Sequence, residues 1–117
     1  MKVIKKILLV EDNSELRSLQ VEILEASGFE VTEAFWAKSA ISILKEKEFD
    51  LVLSDYQMPK DGNGTELYEW VQLYRPQLKF IFLSSMPEIK EEGVQLLSKP
   101  LTKKKLEEAI ERERLFI

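Results

Sequence analysis

The sequence contains no cysteine and no histidine. Without cysteine the chain can form neither a disulfide nor a thiolate metal site, and a reducing compartment is compatible with it. Without histidine, imidazole-based catalytic triads, histidine-ligated zinc and a phosphohistidine carried by the chain itself are all excluded. Any metal site must therefore be built from oxygen ligands, which favour hard cations.

Long apolar segments are also missing. No hydrophobic run approaches the ~20 residues of a membrane span, and residues 1–6 lack the apolar stretch of a signal peptide. The net charge of −4 argues against nucleic acid or an anionic membrane as a partner. We therefore expect a cytoplasmic protein that binds no nucleic acid and no membrane.

The length fits one domain, and no linker, low-complexity segment or internal boundary is visible, so residues 1–117 are predicted to form a single domain. Candidate strands are the apolar runs 7–10, 29–32, 51–53, 80–83 and 94–97. Most of them lack alternation, which is typical of strands covered on both faces in a parallel sheet. The second run is weaker and is expected near an edge.

Segments with helical spacing separate the strands. The apolar positions predicted to face the core are, helix by helix, Leu16, Leu19, Ile23 and Leu24; Ala37, Ala40, Ile41 and Leu44; Leu67, Val71 and Tyr74; and Leu101, Leu106, Ala109 and Ile110. Asn13 and Thr102 are predicted N-caps, Gly28 ends the first helix and Pro76 stops the third. The lysines at 103–105 are interpreted as a solvated helix face. This alternation of strands and helices predicts right-handed crossovers and a doubly wound sheet.

Polar side chains follow four of the predicted strands: Glu11 and Asp12 the first, Asp55 the third, Ser84 the fourth and Lys99 the fifth. In such sheets ligands bind outside the carboxyl ends of the strands, where the strand order reverses. If the order is 2-1-3-4-5, Asp12 and Asp55 lie close together and favour a cation between them. Oxygen ligands select Mg²⁺ or Mn²⁺, and phosphate is the usual partner that completes the metal's shell.

Each of these residues also has a structural interpretation. An acidic pair after a strand is most often a helix cap, Asp55 could start a turn, and Lys99 could be an exposed cation. Ser84 alone is unremarkable in such a position. Their coincidence on one edge of one sheet is what indicates a site.

The same residues belong to a longer motif, which comprises Glu11-Asp12, residues 55–59 (Asp-Tyr-Gln-Met-Pro), Ser84 and Lys99-Pro100. In this order and after these strands, the motif resembles the receiver (phosphoacceptor) domain of bacterial two-component response regulators, and the resemblance runs nearly end to end. It implies a flavodoxin-like three-layer sandwich with a five-stranded parallel sheet in the order 2-1-3-4-5.

The resemblance also implies a role for each site residue. Asp55 would be the nucleophile that accepts a phosphoryl group from a phosphohistidine. Asp12 and Asp55 would ligate Mg²⁺ together with the backbone carbonyl of Gln57, and Glu11 would act on the metal through water.

Two further residues would act on the phosphoryl group itself. Lys99 would stabilise its charge, and Ser84 would donate its hydroxyl as the moving part of a switch. The peptide bond between Lys99 and Pro100 is expected to be cis.

The sequence departs from the family in the fourth helix and fifth strand, which usually form the signalling face of a receiver. The interval from Ser84 to Lys99 is several residues short, so we predict that the helix over residues 86–92, the family's fourth, is stunted or replaced by a loop. Leu96 stands where receivers commonly carry an aromatic switch residue. Residues 61–64 (Asp-Gly-Asn-Gly) replace the usual spacing to a single glycine.

Two aromatic residues in a predicted loop offer a second clue to partners. Phe35-Trp36 follows the second strand and is interpreted either as a partner patch or as two rings packed over the sheet edge. Trp70 is expected at the rim of the core.

Three functional hypotheses follow. The first is a signalling switch controlled by a sensor histidine kinase or histidine phosphotransfer protein, acting on an unknown downstream protein. Its only catalysis would be self-phosphorylation and slow self-dephosphorylation. The second is a docking module that ignores phosphorylation, and the third is a phosphorelay intermediate.

Other properties of the chain limit these hypotheses. A stunted fourth helix would expose apolar sheet and favour a homodimer. A phosphatase of the haloacid-dehalogenase type is disfavoured, because it needs a second aspartate where this chain has Gln57. The sequence is compatible with a stand-alone receiver and with an excised domain.

Overall fold

The computed structural model describes residues 3–58, 64–86 and 93–115. The apolar, β-branched and aromatic runs form short strands, and the periodic segments form helices. The strands are β1 (Lys6–Val10), β2 (Glu30–Ala34), β3 (Leu51–Asp55), β4 (Lys79–Ser84) and β5 (Gln95–Ser98). The helices in the described residues are α1 (Ser14–Ala26), α2 (Ala37–Glu46), α3 (Gly64–Tyr74) and α4 (Lys103–Leu115).

The five strands form one parallel sheet in the order β2-β1-β3-β4-β5. This confirms the predicted fold class, a doubly wound flavodoxin-like sheet, and it places β2 at an edge as expected. The strand order reverses between β1 and β3, where Val10 pairs with Ser54. The carboxyl ends of these two strands therefore lie side by side.

Helices cover both faces of the sheet, which explains why its strands are apolar throughout. One face carries α1 and α4, and the buried strand residues there are Ile7, Leu9, Leu51, Leu53, Ile81, Leu83 and Leu97. The opposite face carries α2 and α3, and the buried strand residues there are Leu8, Val10, Ala34, Val52, Phe80 and Phe82. The core is thus split into two layers by the sheet.

The predicted helix ends are confirmed. Asn13 Oδ1 accepts a hydrogen bond from the Leu16 N–H at 2.9 Å and caps α1. Thr102 Oγ1 accepts one from the Lys105 N–H at 3.2 Å at the start of α4. Helix α1 ends at Ala26, just before Gly28, whose φ is +92°.

Two predicted core positions are wrong. Leu19 is 56% exposed, and the neighbouring Gln20 is buried in its place. The buried stripe of α1 accepts this polar residue because its amide finds a hydrogen-bond partner, as described below. Tyr74 is also exposed, at the end of α3, where its ring packs on Trp70 with centroids 5.2 Å apart.

The lysine run at the start of α4 differs in part from the prediction. Lys103 and Lys104 are exposed, as expected for a solvated face. The Lys105 ammonium instead donates to the carbonyl oxygens of Ser98 and Pro100, both at 3.0 Å. This lysine therefore holds the end of β5 against the first turn of α4.

The peptide bond between Lys99 and Pro100 is cis, as expected. The helix predicted to be stunted, over residues 86–92, is a different helix from α4. Except for Met86, its residues lie outside the described part of the chain. The predicted departure at residues 61–63 also lies outside it. None of the helices in residues 3–58, 64–86 and 93–115 has the length and apolar character needed to cross a bilayer.

Gly64 begins α3 in close contact with the strand that carries Asp55. A Cβ at this position would lie 2.5 Å from the Asp55 carbonyl oxygen and 2.8 Å from Phe82 Cε1. Because the nearer atom belongs to the backbone, rotation of a side chain cannot relieve the clash. We expect Gly64→Ala to lower the free energy of unfolding, measured by urea denaturation, by about 2–3 kcal/mol.

Gly28→Ala is the matched control. Gly28 has a positive φ, but nothing lies within 4 Å of a Cβ built there. The substitution then costs only the backbone strain of a left-handed alanine, about 1 kcal/mol. A loss for Gly64→Ala no larger than that for Gly28→Ala would contradict the close approach at Gly64.

Candidate functional site

Three segments that are distant in the sequence meet at the carboxyl edge of the sheet. Glu11 and Asp12 directly follow β1, Asp55 is the last residue of β3, and Lys99 directly follows β5. The Lys99 N–H donates to the Ser84 carbonyl at 2.8 Å, which fixes the start of the Lys99 loop beside β4. Because all strands run in the same direction, these side chains emerge on one edge.

The Lys99 ammonium lies between two buried carboxylates. Its Nζ is 3.0 Å from Glu11 Oε1 and 3.2 Å from Asp55 Oδ1. The side chains of Glu11 and Asp55 are only 1% and 6% exposed. Little water screens these ion pairs, so the Coulombic attraction within them is stronger than in a pair on the surface.

Glu11 has two more donors, which the sequence pattern does not reveal as site residues. Gln20 Nε2, from the middle of α1, donates to Glu11 Oε1 at 3.1 Å, and the Asn13 N–H donates to Oε2 at 3.3 Å. Arg17 donates to the Glu11 backbone carbonyl at 2.9 Å. A sequence signal for Gln20 does exist, since it lies four residues before Leu24 and therefore on the buried stripe of the helix.

The carboxyl groups differ in their ease of ionisation. Burial, followed by the negative charge of Glu11, raises the pKa of Asp55 to about 6 despite the opposing effect of Lys99. Burial also raises the pKa of Asp12, and the hydrogen bond and charge of Glu11 add to the effect. Burial alone would raise the pKa of Glu11, but its contacts with Lys99, and the hydrogen bonds from Gln20 and Asn13, together outweigh this and lower the pKa.

The pKa of the Lys99 ammonium is shifted as well. Burial alone would lower the pKa of Lys99, but the hydrogen bond to Glu11 and the charges of Asp55 and Glu11 outweigh it and raise the pKa. Lys99 and Glu11 therefore form a stable ion pair, and Asp55 and Asp12 are the carboxyl groups whose ionisation is disfavoured.

The donor set fits a magnesium ion. One oxygen from each of Glu11, Asp12 and Asp55 lies within 4.8 Å of the others. When all three carboxylates are ionised, the Lys99 ammonium compensates one of three negative charges and leaves two, which matches a divalent cation. Oxygen ligands suit Mg²⁺ or Mn²⁺, and a cation would favour the ionised forms of Asp12 and Asp55. This acidic pocket is typical of Mg²⁺ binding.

Two other predicted site residues lie at the same edge. The Gln57 N–H donates to Asp55 Oδ1 at 3.3 Å, and its side-chain amide lies 3.1 Å from Met86 Sδ. The Ser84 hydroxyl is buried and is engaged by its own loop, because it accepts from the Met86 N–H at 3.0 Å and donates to the Met86 carbonyl at 3.3 Å. Ser84 thus lies at the end of β4 beside the site but bonds away from it.

The exposed aromatic pair lies next to the site. Phe35 and Trp36 follow β2, with ring centroids 5.8 Å apart, and the Arg17 guanidinium lies 4.1 Å from the Phe35 centroid. These residues remain 45% and 41% exposed, which is compatible with a partner patch as well as with packing at the sheet edge.

Trp70 and Leu96 pack against the core cluster of the α2 and α3 face, so the rim position predicted for Trp70 is confirmed.

Comparison with known proteins gives a consistent result. The family model described as the response regulator receiver domain matches residues 7–111. The response regulator receiver protein CpdR of Brucella abortus is 32% identical over 115 residues, which cover 92% of this chain and 95% of CpdR. Five longer curated relatives are matched over only 9% to 30% of their lengths, so the similarity to them concerns one part of each.

Solved structures share the fold. The receiver domain from the hybrid histidine kinase CckA superposes with a TM-score of 0.77 at 34% identity, covering 92% of this chain and 97% of that one. A CheY-like receiver domain protein from Methanospirillum hungatei gives a TM-score of 0.83 at 28% identity, with coverage of 95% and 94%. The match spans nearly the whole chain, and the acidic edge with its lysine lies within it. The chain belongs to the response regulator receiver domain family, the phosphoacceptor domains of two-component signal transduction.

Proposed function

We propose that Asp55 accepts a phosphoryl group from a phosphohistidine on a partner protein, in a Mg²⁺-dependent reaction. The phosphorylated domain then changes its binding to a downstream protein. The observation that carries this proposal is the Lys99 ammonium held between Glu11 and Asp55 in a pocket of three carboxylates. Positive charge is thereby in place beside the oxygen atoms that would meet the incoming phosphoryl group.

The Asp55 carboxylate is oriented for nucleophilic attack. Oδ1 accepts from the Lys99 ammonium at 3.2 Å and from the Gln57 N–H at 3.3 Å. In the described parts of the chain no contact engages Oδ2, and we expect this oxygen to attack phosphorus. The new O–P bond forms as the N–P bond of the phosphohistidine breaks, and the electron pair remains on the imidazole nitrogen. Later attack by water on phosphorus releases inorganic phosphate and restores the carboxylate.

The oxygen ligands of the site would hold the metal that the reaction requires. Glu11, Asp12, Asp55 and the backbone carbonyl of Gln57 are the groups that would hold Mg²⁺, and Mn²⁺ suits the same oxygens. When bound, the ion supplies positive charge that neutralises the phosphoryl oxygens. Because Asp55 belongs to the ligand set and is also the nucleophile, both roles require its ionised form.

Lys99 and Ser84 would respond to the new group. Lys99 is free to follow the charge, because its ammonium sits at the end of a flexible side chain and its backbone is fixed by Ser84. The Ser84 hydroxyl would have to exchange its two bonds with Met86 for one to a phosphoryl oxygen. That exchange is the switch that we propose for signalling to the downstream protein.

The donor is proposed as a sensor histidine kinase or a histidine phosphotransfer protein. Supporting this, one of the matched structures is the receiver domain from a hybrid histidine kinase. The domain itself would catalyse only its own phosphorylation and dephosphorylation. Its acidic charge disfavours nucleic acid as the downstream partner.

Phosphorylation by a small donor tests the proposal directly. We expect incubation with phosphoramidate and Mg²⁺ to raise the intact mass by one phosphate, and chelation of the metal with EDTA to prevent the rise. The reason is that positioning and charge neutralisation, both supplied by the site, dominate phosphoryl transfer. Intact-protein mass spectrometry over a time course provides the measurement.

Two matched Asp→Asn variants serve as controls. Asp55→Asn should show no mass increase. Asp50→Asn, at the opposite end of the same strand, should be phosphorylated like the wild type, since Asp50 accepts from the Lys5 and Lys6 N–H groups far from the site. A mass increase that persists in Asp55→Asn would sink the assignment of the phosphoacceptor.

The raised pKa of Asp55 predicts how stability depends on pH without metal. A carboxyl group with a pKa of about 6 in the folded state and 3.8 as its ordinary value binds protons more tightly when folded. The stabilisation that the protonated Asp55 carboxyl group gives to the folded state is therefore lost as pH rises from 3.8 through 6. In EDTA at pH 7.5 we expect Asp55→Asn to be more stable than the wild type by about 1–3 kcal/mol in urea denaturation.

The pH series provides the check on this sign. The advantage of Asp55→Asn should shrink as pH falls from 7.5 to 4, where the wild-type carboxyl group is protonated, and Mg²⁺ should reduce it at pH 7.5. Asp50→Asn should show no such gain. An Asp55→Asn protein that is less stable than the wild type at pH 7.5 in EDTA would contradict the raised pKa of Asp55.

A further inference from the structure

Gln20 is a polar side chain buried in the middle of α1, with only 3% of its surface exposed. Its Nε2 donates to Glu11 Oε1 at 3.1 Å. The orientation of the amide follows from chemistry, because a carboxylate oxygen can face only a donor and the Gln20 carbonyl has none to offer. Helix α1 therefore delivers one neutral hydrogen-bond donor into the acidic pocket.

Packing does not explain the choice of glutamine. In the described parts of the chain, the buried Gln20 Oε1 has no hydrogen-bond partner. A buried acceptor without a donor destabilises a fold, so an apolar side chain of the same length would serve the core at least as well. The contact with Glu11 is what a glutamine adds.

Counting lone pairs shows what this contact achieves. Glu11 Oε1 accepts from Lys99 Nζ at 3.0 Å and from Gln20 Nε2 at 3.1 Å, which uses both of its acceptor positions. Oε2 accepts from the Asn13 N–H at 3.3 Å, and it has a position open once Asp12 is ionised and its hydrogen bond to Glu11 is lost. The donors thus fix the rotation of the carboxylate and leave Oε2 available to a cation or to one of its waters.

Phosphorylation makes the neutral donor more important. When Asp55 carries a phosphoryl group, that group competes with Glu11 for the Lys99 ammonium. Gln20 has no charge to be drawn away, and it remains bound to Glu11 Oε1. Outer donors of this kind orient the ligands of a metal and tune its affinity.

We propose that Gln20 is a positioning residue of the Mg²⁺ site, which holds the Glu11 carboxylate in the orientation that the metal requires. This inference rests on the proposed function. It predicts that loss of the amide weakens metal binding without weakening the fold.

Gln20→Met tests the proposal, because methionine keeps the length of the side chain and removes its hydrogen bonds. We expect the Kd for Mg²⁺, measured by isothermal titration calorimetry, to rise about tenfold. The free energy of unfolding in EDTA should be unchanged or higher. Gln72→Met is the matched control: Gln72 lies on α3, exposed, and donates to the Tyr68 hydroxyl at 3.0 Å, so its loss should leave the Mg²⁺ affinity unaltered.

A kinetic measurement separates positioning from chemistry. With phosphoramidate as the donor, Gln20→Met should need about tenfold more Mg²⁺ for half-maximal phosphorylation. Its maximal rate at saturating Mg²⁺ should stay close to that of the wild type, because Gln20 contacts neither the nucleophile nor Lys99. Gln20→Leu provides a second apolar variant should Gln20→Met not fold.

The outcomes separate this inference from the proposed function. Wild-type protein that binds no Mg²⁺ would overturn both. Wild-type binding with an unchanged Mg²⁺ affinity in both Gln20 variants would overturn the inference alone. Loss of affinity accompanied by a matching loss of stability in EDTA would also overturn it, because Gln20 would then be a structural residue.

Discussion

The ion pairs that Lys99 makes with Glu11 and Asp55 are the constraint on which the site depends. Two buried carboxylates repel each other, and removing both from water destabilises the fold unless a cation lies within contact distance. Lys99 supplies that cation but compensates only part of the negative charge once Asp12 is included. The pocket is consequently stable enough to fold and still electrostatically incomplete, which is the state that attracts a divalent ion.

The order of the strands makes this arrangement attainable. Because β1 and β3 are neighbours, Glu11 and Asp55 reach each other from strands that are forty residues apart in the sequence. Lys99 comes from beyond β5 and must cross the end of β4, so it needs a long side chain. Backbone bonds fix the crossing, since the Lys99 N–H donates to Ser84 and the Tyr56 N–H donates to Leu83, both at 2.8 Å. The strand order therefore determines which charged side chains meet at the site.

The sequence predicted the strand ends and, with them, most of the site. Polar residues that terminate apolar runs can be read without coordinates, because parallel strands all end at the same edge. Gln20 was not identified in this way, although its spacing to Leu24 places it on the buried stripe of α1, because a polar side chain is normally expected on the exposed face of a helix. Its burial depends on a partner, Glu11, contributed by another element. Leu19 was assigned to the core for the converse reason, because apolar character alone does not decide which side of a helix faces the sheet.

The proposed switch depends on the hydrogen bonds that Ser84 already makes at the carboxyl edge of the sheet. The Ser84 hydroxyl makes two hydrogen bonds to Met86, so it moves toward a phosphoryl group only if the new bond offsets both. A neutral bond to the loop is weaker than a charge-assisted bond to a phosphoryl oxygen, which favours the exchange. Lys99 and Ser84 are also joined through the backbone, so the two side chains that would contact the phosphoryl group are anchored at the same strand end. In the proposed switch, Met86, which is 42% exposed, would be the described residue that loses its contacts when the Ser84 hydroxyl turns toward the phosphoryl group.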